Sequence, residues 1–167
     1  MQFSPVISYA PINSIDQPLL HLASPFSGKV TPLSSHPDPL FSQGMLGRGI
    51  CVQLSSFKIV SPVHGTIEQI KQHGTEFIIS AQNGLKILVN IRIPTEYSAP
   101  QYQTFNAFGK TTVQQGELLA YFDIPASVTP AIGSVILINA EKLGPCYYPL
   151  KQVSAGQDPL VTLTKSE

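Results

Sequence analysis

Short apolar runs recur along the chain, among them "GICVQL", "TEFIIS", "LKILVNI" and "SVILINA", rich in β-branched and aromatic residues and alternating in character. Period-two alternation in segments this short predicts strands rather than helices. The breaks between them carry 15 prolines and 12 glycines, so the pattern predicts an all-β domain of many short strands. Between "TEFIIS" and "LKILVNI" lies "AQNGL", where Asn83-Gly84 suits the positive φ values of a two-residue type I′ turn. Residues 75–91 are therefore expected as two paired strands. Segment 94–110 reads as a long loop with a short helical turn, and "NAEKLG" at 139–144 as one turn stopped by Gly144 and Pro145. Residues 1–17 lack periodicity and read as a flexible or draped arm, leaving 18–167 as the β domain.

Two internal echoes run through the pattern. "SPFSGKV" at 24–30 returns as "SPVHGTI" at 61–67, and "VQQGELLAYF" at 113–122 returns more loosely as "VSAGQDPLVTL" at 153–163. In each S-P-x-x-G the Pro suits a strand start, and the Gly permits a tight turn or bulge before the next β-branched residue. Each half of the chain is expected to contribute related β elements.

Composition narrows the function classes. A chain of 167 residues, 43% hydrophobic, fills one ordinary core. Ten cationic side chains balance ten acidic ones at 12% charged, which gives no basic surface for nucleic acid or an anionic membrane. Partners are expected to bind through shape and apolar surface. Cys51 and Cys146 form no disulfide framework or metal motif and read as buried free thiols. No stretch approaches the ~20 apolar residues of a membrane span, and the start of the chain lacks a secretory pattern, so the reading is a cytoplasmic, soluble protein.

The chemistry-bearing residues are sparse. His21, His36 and His64 lie in turn-like or proline-flanked stretches without the spacing of a zinc site, so no metal and no cofactor is expected. Lys29, Lys71 and Lys86 lack the hairpin setting of a lipoyl or biotinyl lysine.

The ordered set "SPFSGKV", "LFSQGMLGRGICV", "IVSPVHGTI", "GLKILVNI", "TTVQQGELLAYFDI", "VILIN" and "GQDPLVTL" resembles the glucose-type enzyme IIA domain of the bacterial phosphoenolpyruvate-dependent sugar phosphotransferase system, over roughly residues 18–165. The resemblance implies an antiparallel β-sandwich or barrel of the glucose-permease IIA, duplicated-hybrid-motif type, with short helical turns. It also implies a His at the end of the hairpin's second strand, in V-H-[FIL]-G-[IL]-D-T, that carries a phosphoryl group from a phosphocarrier protein to a IIB partner. An imidazole nitrogen is nucleophilic near neutral pH, and its phosphoramidate is labile enough to pass the group on. The matching run here is "VNIRIPT": Asn90 stands for the His, Arg92 for the Gly and Pro94 for the Asp.

A second family His, in N-H-A-[FI]-x-[IL] fifteen residues earlier, matches Thr75, which is expected to face Asn90 across the hairpin. His73 is the candidate for a displaced phosphoryl acceptor. The family's partner-binding rim maps to Leu40, Phe41, Met45, Leu46, Ile78 and Leu88, mostly apolar here, with Lys71 in place of an aromatic. The resulting expectation is a pseudo-phosphotransferase that binds a protein, either another phosphotransferase-system component or a regulated enzyme. The alternative is an active component phosphorylated on a residue such as His73.

Overall fold

The computed structural model describes residues 7–71, 74–103, 111–125 and 131–165. Fifteen short strands follow one another among the described residues: β1 Ser8–Tyr9, β2 Pro18–Ala23, β3 Gly28–Pro32, β4 Arg48–Leu54, β5 Lys58–Val60, β6 Gly65–Lys71, β7 Glu76–Ala81, β8 Lys86–Arg92, β9 Tyr102–Gln103, β10 Thr111–Val113, β11 Leu118–Tyr121, β12 Ile132–Leu137, β13 Leu143–Tyr148, β14 Gln152–Val153 and β15 Pro159–Lys165. Among the described residues the single α-helix, α1 Pro39–Ser42, starts at Asp38, whose carboxylate accepts the Leu40 N–H, and has Pro39 at its first position.

The strands form three sheets, in the orders β1-β13-β15-β2, β10-β6-β7-β8-β12-β4-β3-β14 and β5-β11-β9, with every pairing antiparallel except β1 with β13. The all-β sandwich with short helical turns is therefore the observed architecture. Alternation sorts the long sheet into two faces. Phe77, Ile79, Ile87, Val89, Ile91, Val135, Ile50 and Val52 enter the main core, while Ile78, Leu88, Ile136 and Cys51 face outward into a second, smaller apolar cluster. The arm contributes to the main core through Ile7, and Tyr9 packs on Tyr148 with Lys151 over its ring.

The sequence echoes are one construction built twice. Ser24 Oγ donates to the Phe26 carbonyl (2.6 Å) and accepts the Phe26 N–H (3.2 Å). Ser61 Oγ does the same with Val63, at 2.7 and 3.4 Å. The copies brace one another: Ala23 N–H donates to Pro62 O, and Val60 N–H to Pro25 O. The second echo supplies matching clasps, Gly156 N–H to Ser24 O and Gly116 N–H to Ser61 O, both 2.8 Å.

Arg48 ties the long sheet to the four-stranded one. Its buried guanidinium donates to Gly144 O (2.6 Å), Cys146 Sγ (3.3 Å) and Leu143 O (3.2 Å) on β13. Gly144 and Pro145 do not stop the preceding turn, as their residue types suggested; they lie inside β13, where the register with β15 shifts. A bulge admits proline because the missing N–H costs no ladder bond there. Arg48→Met should lower stability by about 2 kcal/mol in urea titration, since the carbonyls lose charged donors and keep no substitute; a loss below about 0.5 kcal/mol would show that this tie is idle.

The 75–91 hairpin forms, but not with the expected turn. Gly84 has φ of +90° while Asn83 does not join it above zero. Ala81 N–H donates to Leu85 O (2.8 Å) and Gly84 N–H to Ala81 O (3.0 Å), which makes a three-residue loop. Asn83 Oδ1 accepts the Leu85 N–H (3.1 Å) and so prefers a side-chain cap to a left-handed backbone.

Candidate functional site

A row of mostly polar residues crosses the outward face of the long sheet. The register places Lys71, Glu76, Asn90, Ser134, Cys51 and Thr31 next to one another across β6, β7, β8, β12, β4 and β3. A row of Ile78, Leu88 and Ile136 flanks it on one side, and Arg92, Ile132 and Gln53 on the other. Residues 33–46, with α1, lie over the second cluster through Leu33, Phe41 and Leu46.

Glu76, not Thr75, stands opposite Asn90. Asn90 Nδ2 donates to Glu76 Oε1 at 3.1 Å, and both residues are 7% exposed. The expected facing of Thr75 and Asn90 is thus corrected: Thr75 is buried beyond the start of β7, and its carbonyl accepts the Ile91 N–H (2.8 Å). A family spacing of fifteen residues does not fix the ladder partner, and the three-residue hairpin loop, pairing Ala81 with Leu85, brings Glu76 opposite Asn90. Further along the row, Cys51 Sγ lies 3.5 Å from Ser134 Oγ, and burial pushes the Cys51 thiol up from its ordinary value, with the Ser134 and Ser35 contacts opposing.

His36, a turn-like residue by sequence, is instead part of this site. It is buried at the edge of this face, stacked on Phe41 with ring centroids 4.3 Å apart. Nδ1 accepts the Asp38 N–H at 3.0 Å, which fixes the neutral proton on Nε2. Nε2 therefore has no lone pair to offer a phosphoryl group, and it is buried besides. Burial and then the Arg92 charge push His36 below its ordinary value, with Asp38 opposing.

The rim residues divide. Leu40 and Met45 are 49% and 68% exposed, whereas Phe41 and Leu88 are buried and Leu46 and Ile78 pack partly buried against them. His73 lies outside the described residues. His21 Nδ1 pairs with Thr162 Oγ1 (2.8 Å), His64 Nδ1 accepts the Gln115 N–H (3.2 Å), and neither lies in the polar row. Among the described residues no three His, Cys, Asp or Glu side chains are grouped to hold a metal, and no helix is long and apolar enough to cross a membrane.

Residues 20–142 match the family of the phosphoenolpyruvate-dependent sugar phosphotransferase system, EIIA 1. The chain is 31% identical over 129 residues to the PTS system mannose-specific EIIBCA component of Corynebacterium glutamicum, covering 75% of itself and 19% of that protein. It is 29% identical over 125 residues to the glucose-specific EIIA component of Oceanobacillus iheyensis, covering 73% of itself and 76% of the relative. To the β-glucoside-specific EIIBCA component of Halalkalibacterium halodurans it is 31% identical, covering 23% of that protein. The chain thus spans about a fifth of each larger relative. Among solved structures, glucose permease IIA from Mycoplasma capricolum superposes with a TM-score of 0.71 at 22% identity, over 86% of this chain and 94% of that one.

Proposed function

Since the chain belongs to the EIIA 1 family of the phosphoenolpyruvate-dependent sugar phosphotransferase system, we propose that it is a member without phosphoryl-accepting chemistry, acting by binding a protein. The observation that supports this most directly is the Asn90–Glu76 hydrogen bond. An amide nitrogen is neither basic nor nucleophilic, so Asn90 forms no phosphoramidate. Glu76 adds a buried carboxylate where the family pattern, aligned on Thr75, has Ala. A negative group there opposes an incoming phosphoryl group.

The partner fits two chemistries, a IIB-type component of the same system or an enzyme regulated by it, and the exposed Leu40 and Met45 are the side chains offered to it. We also propose a cytoplasmic location, which the family membership supports.

Incubation with phosphoenolpyruvate, enzyme I and the phosphocarrier protein is expected to leave the protein unlabelled. Intact-mass and phosphohistidine mass spectrometry reads this directly. A stoichiometric phosphoryl adduct on any histidine, His73 included, refutes the proposal and favours the active alternative.

A further inference from the structure

The segment joining β3 to β4 is bonded to itself. The backbone amides of His36, Phe41, Ser42, Gln43, Gly44 and Gly47 all donate to carbonyls within residues 33–44. Ser35 Oγ turns back to Thr31 and Pro32. Its hold on the sheet is the burial of Leu33 and Phe41 with Cys51, Leu88 and Ile136, together with the Ser35 Oγ bond to Thr31 on β3 (3.2 Å) and its contact with the Cys51 thiol. Gly49 makes room for this, since a Cβ there would stand 3.2 Å from Leu33 Cδ1 and 2.5 Å from Ile136 Cδ1.

His36 is the buried histidine of that segment, and its bonding is one-sided. Nδ1 accepts from Asp38 N–H, while Nε2–H is buried without an acceptor among the described residues. A second proton goes to Nδ1, which converts the acceptor facing Asp38 N–H into a donor facing a donor. The bond that sets the entry into α1 is then lost, and a charged ring is left stacked on Phe41. We propose that residues 33–47 are a lid held shut by neutral His36, and that protonation of His36 lifts it, baring the apolar patch of Leu88, Ile136 and Cys51.

The charged and titratable groups on this face are Asp38 on the lid, Lys86 and Arg92 on β8, Glu76 on β7, Lys71 on β6 and Cys51 on β4, while Arg48 on β4 turns the other way to β13; β12 contributes Ser134 and Ile136. Burial and Arg92 both disfavour the imidazolium, and Asp38 opposes them more weakly. A histidine lowered in the closed state binds fewer protons there than in the open state. Closure is therefore complete above the ordinary histidine value of about 6.5 and weakens as pH falls from there through the lowered value, by at most about tenfold per pH unit. The proposal holds whether or not the protein accepts a phosphoryl group.

The test is amide hydrogen exchange by NMR between pH 5 and 8, with rates divided by those of the unstructured chain. Protection at the Phe41, Ser42, Gln43 and Gly44 amides is expected to fall up to about tenfold per pH unit below 6.5, while the β7 and β8 amides keep theirs. In His36→Phe, which keeps an aromatic ring against Phe41 but takes no proton, the lid amides should lose this slope. Constant protection in the parent, or the same slope in His36→Phe, overturns the proposal. Should that variant not fold, the His36 ring titration in the parent decides: a midpoint at or above the ordinary value refutes the lock, and a lower midpoint that coincides with lid exchange supports it.

Discussion

Asn90→Leu is expected to cost about 3 kcal/mol of stability, and Glu76→Leu/Asn90→Leu less than about 1 kcal/mol, so the second substitution rescues the first. The single change strips a buried carboxylate of the amide that donates to it at 3.1 Å. Lys71 stands opposite Glu76 in the register but is not within ion-pair distance, as Lys86 is with Glu68 (3.7 Å). A buried, unsolvated carboxylate is costly, whereas two leucines beside Ile78 and Leu88 extend an existing apolar row. Urea unfolding of the four proteins of the cycle measures this. Additive losses would mean that Glu76 does not depend on Asn90.

The second result concerns the carboxylate. Asn90→His supplies an imidazole at the family's acceptor position, yet it is expected to take a phosphoryl group ~10² times more slowly than Asn90→His/Glu76→Ala. Side chains directly across an antiparallel pair have Cβ atoms ~5 Å apart. At that separation and an effective dielectric constant of ~20, a unit charge pair repels by roughly 3 kcal/mol. Glu76 also favours the protonated imidazole, which is no nucleophile. Potassium phosphoramidate as donor removes any need for docking, and the rate of phosphohistidine formation is the readout. Equal rates would show that Glu76 does not guard this position.

The strands were legible because alternation and Pro/Gly punctuation are local signals, and the family was legible because several weak motifs kept their order. The facing residue was not, for a reason that can be counted. A two-residue turn at Asn83-Gly84 would pair 82 with 85, and therefore 77 with 90. The three-residue loop pairs Ala81 with Leu85, and therefore Glu76 with Asn90. The family spacing pointed to Thr75, because a fixed count of fifteen does not say which residue lies across the ladder. Writing out N-H-A-[FI]-x-[IL] against "GTEFII" would have shown Glu76 in place of Ala. His36 was read as a loop residue. "HPDPLF" does announce a helix entry, with an acidic cap and Pro39 at the first position. Nothing local announces that the segment folds back on β4, β8 and β12, because burial by a distant sheet leaves no periodic trace in so short a piece.

The doubled serine clasp bears on synthesis. The second copy, at Ser61, finds its partner strand by Gly116 and Glu117. The first waits far longer: Ala155 N–H closes on Ser27 Oγ across 128 positions of chain, and β14 completes the edge of β3 in the same region. At ribosomal rates of 5–20 residues per second, roughly 6–25 s separate the appearance of these two ends. Through that interval β3 has one edge without its strand, and Ser24 lacks its backbone bonds to Gly156 and Asp158. Residues 152–158 thus supply the edge that β3 and the Ser24 copy of the clasp require.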